Sequence, residues 1–225
     1  MKATTFHNQI ICGDSLRVLK KLPDRSVDVI ITDPPYGDNI GYGRRNVRIQ
    51  GNEHPLLALM VMSASYRVLK RNSNAYMFCG SKHVGFLRSF FTSYTRFKIR
   101  DVVIWDKVVR GRGYGFRRQY ECILVLEKGK PRYRNPGLPN LIRTARVGTL
   151  EHPHTKPLEL IKTLLLQSSD EGDLVLDPFL GSGTTVIAAH HLNRRYLGIE
   201  VDRRYYELAK ARLKRVKDTR APLMF

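Results

Sequence analysis

The chain has 225 residues, 42% hydrophobic and 26% charged, which suits one ordinary globular domain with a well-buried core. Its 39 Lys and Arg against 20 Asp and Glu leave a formal charge of +19 at pH 7, an excess that points to a polyanionic partner, nucleic acid above all. No apolar run approaches the ~20 residues of a membrane span, and the first thirteen residues lack the charged start and long apolar core of a secretory signal. Cys12, Cys79 and Cys122 stand singly in apolar neighbourhoods, which reads as buried thiols in a reduced, cytoplasmic setting and not as a disulfide framework or zinc site.

Short β-branched runs predict buried strands at 27–32, 75–79, 102–105, 122–126, 174–176 and 196–199, with 120–126 able to form an antiparallel edge. Helical spacing begins at Leu56, Leu59, Met60 and Ser63, and returns at Leu158, Ile161 and Leu165, with Pro157 at the first helical position. Tyr205, Leu208, Ala209, Arg212 and Leu213 predict a third helix. Strands alternating with helices imply an α/β fold with a doubly wound, mostly parallel sheet. Three irregular basic stretches, 37–53, 107–118 and 128–154, interrupt the pattern, and loops this long in a small domain are usually functional. Without repeats, low-complexity tail or linker, residues 1–225 read as a single domain.

Two constellations carry chemistry. In Leu174-Val-Leu-Asp177-Pro-Phe179-Leu-Gly181-Ser182-Gly183-Thr184-Thr185, a strand ends in a carboxylate, a glycine-rich turn follows, and a helix begins. Open α/β sheets bind ligands at that carboxyl edge, where glycines permit close backbone approach. The single G-x-G without a following lysine fits neither a dinucleotide fingerprint nor a phosphate loop. Glu200, after the next strand, is placed to accept hydrogen bonds from ribose hydroxyls. The turn alone could equally be a packing device, but the acid before it and the acid after it favour a ligand site.

In the second constellation, the strand 27–32 runs into Asp33-Pro34-Pro35-Tyr36-Gly37. An exocyclic amine has two N–H groups, and its lone pair is delocalised into the ring. The Asp33 carboxylate and the Pro34 carbonyl could each accept one N–H, drawing the nitrogen towards a tetrahedral, more nucleophilic form. The prolines fix φ and offer no N–H to compete. Tyr36 presents a flat face for an extruded base. A rigid strand-to-loop turn with a capping Asp is the plainer alternative.

Together these motifs resemble the amino-group (N6-adenine and N4-cytosine) DNA methyltransferases. The catalytic motif precedes the cofactor motif, as in the β arrangement of that family, a circular permutation of the usual order. The resemblance spans residues 9 to about 214 and implies a seven-stranded sheet of the S-adenosylmethionine-dependent methyltransferase type. It assigns Asp33, Pro34, Pro35 and Tyr36 to catalysis. For the cofactor, S-adenosylmethionine, it implies Asp14, Asp33, Lys156, Asp177, Phe179, Gly181, Ser182, Gly183, Thr184 and Glu200. Asp14 also reads as a helix cap before Leu16 to Leu22, and Thr155-Lys156-Pro157 as a helix start. His152 and His154 lack a third partner at metal-binding spacing, so no metal is expected.

The implied reaction is methylation of adenine N6 in double-stranded DNA with the base flipped out, leaving S-adenosylhomocysteine. The alternatives are cytosine N4, methylation of RNA or a protein amide, or a non-catalytic nucleic-acid-binding protein on the same scaffold; by the resemblance, Asp at position 33 favours adenine in DNA, where cytosine-N4 enzymes commonly have Ser and amide and many RNA enzymes Asn. Arg44, Arg45, Arg48, Arg110, Arg112, Arg117 and Arg118, in loops after strand ends, are the candidate DNA contacts, against a basic C-terminal helix carrying Lys210, Arg212, Lys214, Arg215 and Lys217. The interval 128–154 is shorter than the recognition region of many relatives, and no appended DNA-binding domain is expected, so sequence specificity is expected to be short, absent or shared with a second subunit. A homodimer and a cognate restriction endonuclease are the further partners the resemblance suggests.

Overall fold

The computed structural model describes residues 6–35, 55–109, 115–147 and 155–219. Within them one mixed sheet of eight strands runs in the order β1-β8-β7-β2-β3-β5-β4-β6. The strands are β1 (Gln9–Cys12), β2 (Val29–Thr32), β3 (Ser73–Cys79), β4 (Lys98–Asp106), β5 (Tyr120–Lys128), β6 (Leu141–Arg143), β7 (Leu174–Asp177) and β8 (Arg195–Glu200). All neighbours pair in parallel except β5, which runs antiparallel between β3 and β4. The doubly wound, mostly parallel α/β reading therefore holds.

Six helices cover the sheet: α1 (Ser15–Lys21), α2 (Pro55–Val68), α3 (Val84–Tyr94), α4 (Leu158–Ser168), α5 (Thr184–His191) and α6 (Arg203–Thr219). Side chains of a strand alternate between faces. Accordingly Ile30, Leu176 and Leu197 join the core under α1, α2 and α3, while Val29, Ile31, Val175 and Tyr196 join the core under α4, α5 and α6. Burial on both faces explains why the central strands read as continuous apolar runs.

The structure corrects four expectations. The sheet has an eighth strand, because β6 adds three residues in parallel to β4 inside a stretch whose prolines and arginines read as loop. The antiparallel strand β5 is interior and not an edge, since β4 and β6 lie outside it. Pro157 sits one position earlier than expected: its ψ of 134° is extended, which makes it the N-cap of α4. Cys12 is exposed at the end of edge strand β1, whereas Cys79 and Cys122 are buried.

Candidate active site

Parallel strands deliver their last residues to one edge of the sheet, and there the acids gather. β2 is buried throughout and ends at Thr32, leaving Asp33 half-buried, Pro34 buried and Pro35 half-buried. β7 lies beside β2 and ends at Asp177. The Thr32 hydroxyl and the Phe179 amide both donate to Asp177 Oδ1, at 3.0 and 3.1 Å. Burial pushes the Asp177 carboxyl up to about 7, although the Thr185, Phe179 and Thr32 hydrogen bonds pull it down; the Asp33 charge adds to the rise.

The turn after Asp177 is built for two purposes. Gly181 and Gly183 adopt φ of 55° and 88°, the left-handed region that glycine enters without strain. A Cβ on Gly183 would lie 2.9 Å from the Ala209 Cβ, so this glycine lets α5 pack against α6 and is not there for ligand approach alone. Gly181 N donates to Glu200 Oε2 at 2.7 Å and Asp202 N to Oε1 at 2.8 Å. Burial raises the Glu200 carboxyl while these backbone donors lower it. A carboxylate accepts at about four lone-pair sites, so Glu200 keeps capacity for a ligand's hydroxyls.

Other parts of the chain fasten onto this turn. Asp14 caps α1 by accepting from Arg17 N at 2.8 Å, as the helix-cap reading expects. The Ser15 hydroxyl donates to the Pro178 carbonyl at 2.5 Å, which joins the two halves of the chain. Ser182 meets the Thr155 hydroxyl at 3.2 Å, and its carbonyl accepts from Arg212 Nη1 at 2.6 Å. Phe179 is half-buried against the α1–α3 core. The Thr184 hydroxyl, in the first turn of α5, is buried with no hydrogen-bond partner among the described residues. Such an orphan in a folded interior points to an absent ligand or water.

Lys156 lies against the turn that begins at Asp33. Its ammonium pairs closely with Asp33 Oδ2 and lies 3.2 Å from Glu121 Oε2, while Lys107 pairs with the other Glu121 oxygen at 2.8 Å. It also lies 5.0 Å from the centre of the Phe78 ring and 5.8 Å from that of Trp105. Burial would lower Lys156, but Asp33 and Glu121 raise it above the ordinary lysine range. Glu121 and Lys107 were missed by sequence reasoning; the available signal was a charge directly before the apolar run Cys122 to Leu126 of β5.

Tyr36, Arg44, Arg45, Arg48, Arg110, Arg112, His152 and His154 lie outside the described residues. Arg117 and Arg118 are exposed in the β4–β5 connection, which opens at the same sheet edge as Asp33 because β5 runs antiparallel to β3. The third basic stretch divides differently. Arg134 pairs with Asp170 at 2.6 Å and Arg134 N bonds the Gln167 carbonyl, anchoring that part near the end of α4, at the opposite edge. On α6, Arg212 holds the glycine turn and Lys210 faces Glu207 at 3.8 Å.

A chain of acids along the carboxyl edge of a doubly wound sheet, with a Pro-Pro turn beside a glycine turn, defines a ligand-binding α/β enzyme scaffold. The model of the N6/N4 DNA methylase family matches residues 27–146 and 139–211. The chain belongs to that family of DNA methyltransferases. It is 30% identical to the type II methyltransferase M.HpaI of Haemophilus parainfluenzae, over 91% of this chain and 74% of that protein. It is 31% identical to the DNA adenine methyltransferase YhdJ of Escherichia coli K12, over 93% of this chain and 85% of that one. Among solved structures, the M1.HpyAVI–SAM complex superposes with a TM-score of 0.71 at 26% identity, covering 91% of this chain and 98% of that one. No described helix is long and apolar enough to cross a membrane.

Proposed function

We propose that the protein methylates the exocyclic N6 of adenine in double-stranded DNA, using S-adenosylmethionine, with the target base turned out of the helix into the mouth beside Asp33. The observation that carries the reading is the placement of Asp33, at the end of β2, next to the Asp177 turn on β7. Methyl acceptor and methyl donor would thus be held on adjacent strands, and positioning two reactants supplies much of the acceleration in such transfers. The family description covers both N6 and N4 chemistry; the name of YhdJ as an adenine enzyme supports N6.

S-adenosylmethionine, when bound, supplies a methyl group on a positively charged sulfur. The residues present fit it: Glu200 and Asp14 offer acceptors to hydroxyls and amines, and the orphan Thr184 hydroxyl offers a donor at the start of α5. The M1.HpyAVI–SAM complex supports this assignment. Asp33 accepts one N–H of the target amine and the Pro34 carbonyl the other, which localises the nitrogen lone pair. Pro34 is buried and Pro35 half-buried, so the turn keeps its shape as a base enters. Tyr36 stacks on the base, and Arg117 and Arg118 hold phosphates at the rim. The amine's surplus proton leaves to solvent through the mouth where Asp33 is half-exposed. The naming of M.HpaI as a type II enzyme supports a companion restriction endonuclease.

The test is nucleoside mass spectrometry of unmethylated DNA treated with the purified protein and S-adenosylmethionine. N6-methyl-2′-deoxyadenosine is expected; N4-methyl-2′-deoxycytidine would replace adenine by cytosine as target, and the absence of any methylated nucleoside would overturn the reading.

A further inference from the structure

The four charges Lys107, Glu121, Lys156 and Asp33 form a continuous chain, of which the reading above uses only the last member. We propose that Glu121 is a positioning residue: it holds the Lys156 ammonium in place behind Asp33 and ties that pair to the β4–β5 loop. The proposal rests on Asp33 being the carboxylate that meets the target amine.

Glu121 reaches this edge because β5 runs antiparallel, so its second residue stands where β3 and β4 end. It lies opposite Trp105 in the ladder, beside the Cys79–Cys122 pair. The Lys156 side chain is only 10% exposed, between two aromatic rings and two carboxylates. A cation so withdrawn from water is costly unless its charge and its N–H groups are both satisfied. Asp33 alone would balance the charge, but it would have to serve the ammonium and the target amine together. Glu121 takes a share of the ammonium, and Lys107 restores neutrality by pairing with the other Glu121 oxygen. The signs then alternate along the chain.

The charge states agree with this arrangement. Burial by itself would push Glu121 up, but Lys156 and Lys107 hold it down at about 2. The other titratable groups against the cluster are Asp177 and the thiols of Cys79 and Cys122. Burial raises all three, which keeps the thiols neutral at ordinary pH.

The far end of the chain is fixed too. Lys107 opens the β4–β5 loop, and the Asp106 carboxylate before it accepts from Val108 N at 2.8 Å, Gln119 Nε2 at 3.0 Å and Arg143 Nε at 3.0 Å. Val108 has φ of 67°, a conformation a β-branched residue adopts only when its surroundings impose it. The loop base that presents Lys107 to Glu121 is therefore rigidly set, and the same loop carries Arg117 and Arg118. The ionic chain that reaches Asp33 thus ends at the base of the loop that carries Arg117 and Arg118.

Wild type, Glu121→Gln, Glu121→Asp, Lys107→Met and Asp33→Ala proteins should be compared in two ways. The first is methyl transfer to unmethylated bacterial DNA, with kcat and the KM for S-adenosylmethionine separated. The second is NMR titration of the Lys156 Nζ in the protein alone. Glu121→Gln is expected to lower kcat ~10–100-fold, the scale of a small misplacement of reacting groups. It should leave KM for S-adenosylmethionine within about twofold, and move the Lys156 titration to lower pH. Glu121→Asp should recover part of both effects, and Lys107→Met should show the same changes in weaker form. A wild-type kcat in Glu121→Gln, or an unmoved Lys156 titration, overturns the proposal. If Glu121→Gln does not fold, Lys107→Met decides by the same two readings. Full transfer by Asp33→Ala would instead remove the functional reading, whatever the Lys156 titration shows.

Discussion

Replacing Asp177 by Asn should make the free protein more stable at neutral and alkaline pH. Asp177 is 4% exposed, and its carboxyl titrates at about 7 instead of the ordinary 3.8. Between those two values the folded state binds a proton that the unfolded chain has released, so stability falls as pH rises through the interval. The contribution of this one group is fully present below about 4 and is lost as pH rises through 7. A difference of about three pH units, at about 1.4 kcal/mol each, corresponds to about 4 kcal/mol. Asn keeps a carbonyl oxygen for the Thr32 hydroxyl and Phe179 amide and carries no charge into the interior. Urea unfolding of wild type and Asp177→Asn in the absence of cofactor, from pH 5 to pH 8, isolates the effect, because every other titrating group is common to both. The expected result is a stability difference that grows with pH in favour of the mutant, reaching a few kcal/mol by pH 8. Parallel profiles would refute the argument that burial of this carboxylate is costly. Cofactor affinity should at the same time be weaker in the mutant.

Three further outcomes follow from the site. Glu200→Ala should weaken S-adenosylmethionine binding by roughly 1.5–3 kcal/mol in calorimetry, while Glu200→Gln, which can still accept from the Gly181 amide, should lose less; wild-type affinity in Glu200→Gln would mean that Glu200 acts on the loop and not on the ligand. Gly183→Ala should destabilise the fold by about 2 kcal/mol or more, from its φ of 88° and its approach to Ala209, as read by thermal unfolding. The additional change Ala209→Gly should restore only the part due to contact. Arg117→Ala with Arg118→Ala should raise the DNA dissociation constant and flatten its salt dependence by up to ~2 units, without changing cofactor affinity; an unchanged slope, with a reduced one on neutralising Lys214, Arg215 and Lys217, would move the DNA surface to α6.

Much of this was legible in the sequence for a simple reason. The central strands β2, β7 and β8 are buried on both faces, so each appears as an apolar run that stops at its acid. The residues expected to gather at one sheet edge do so, from Asp14 through Asp33 and Asp177 to Glu200. What escaped lies where tertiary context decides. Helix α3 was not predicted, because Phe86 and Tyr94 are exposed aromatics that blur the stripe of Leu87 and Phe91. Strand β6 has three residues and takes its order from β4. The pairing of Lys156 with Asp33 and Glu121 depends on β5 folding back beside β3, which no local pattern announces. Cys12 read as buried from its apolar neighbours, but an edge strand's last residue meets solvent.

Sequencing of modified bases in a methylation-free bacterium expressing either the wild-type protein or Asp33→Ala tests the central claim most directly. The wild-type genome should carry N6-methyladenine at one short sequence context, or dispersed at low specificity, and the Asp33→Ala genome should carry none while the mutant protein stays folded. Methylated adenine at undiminished levels with Asp33→Ala, or no modified base with the wild type, would contradict the account.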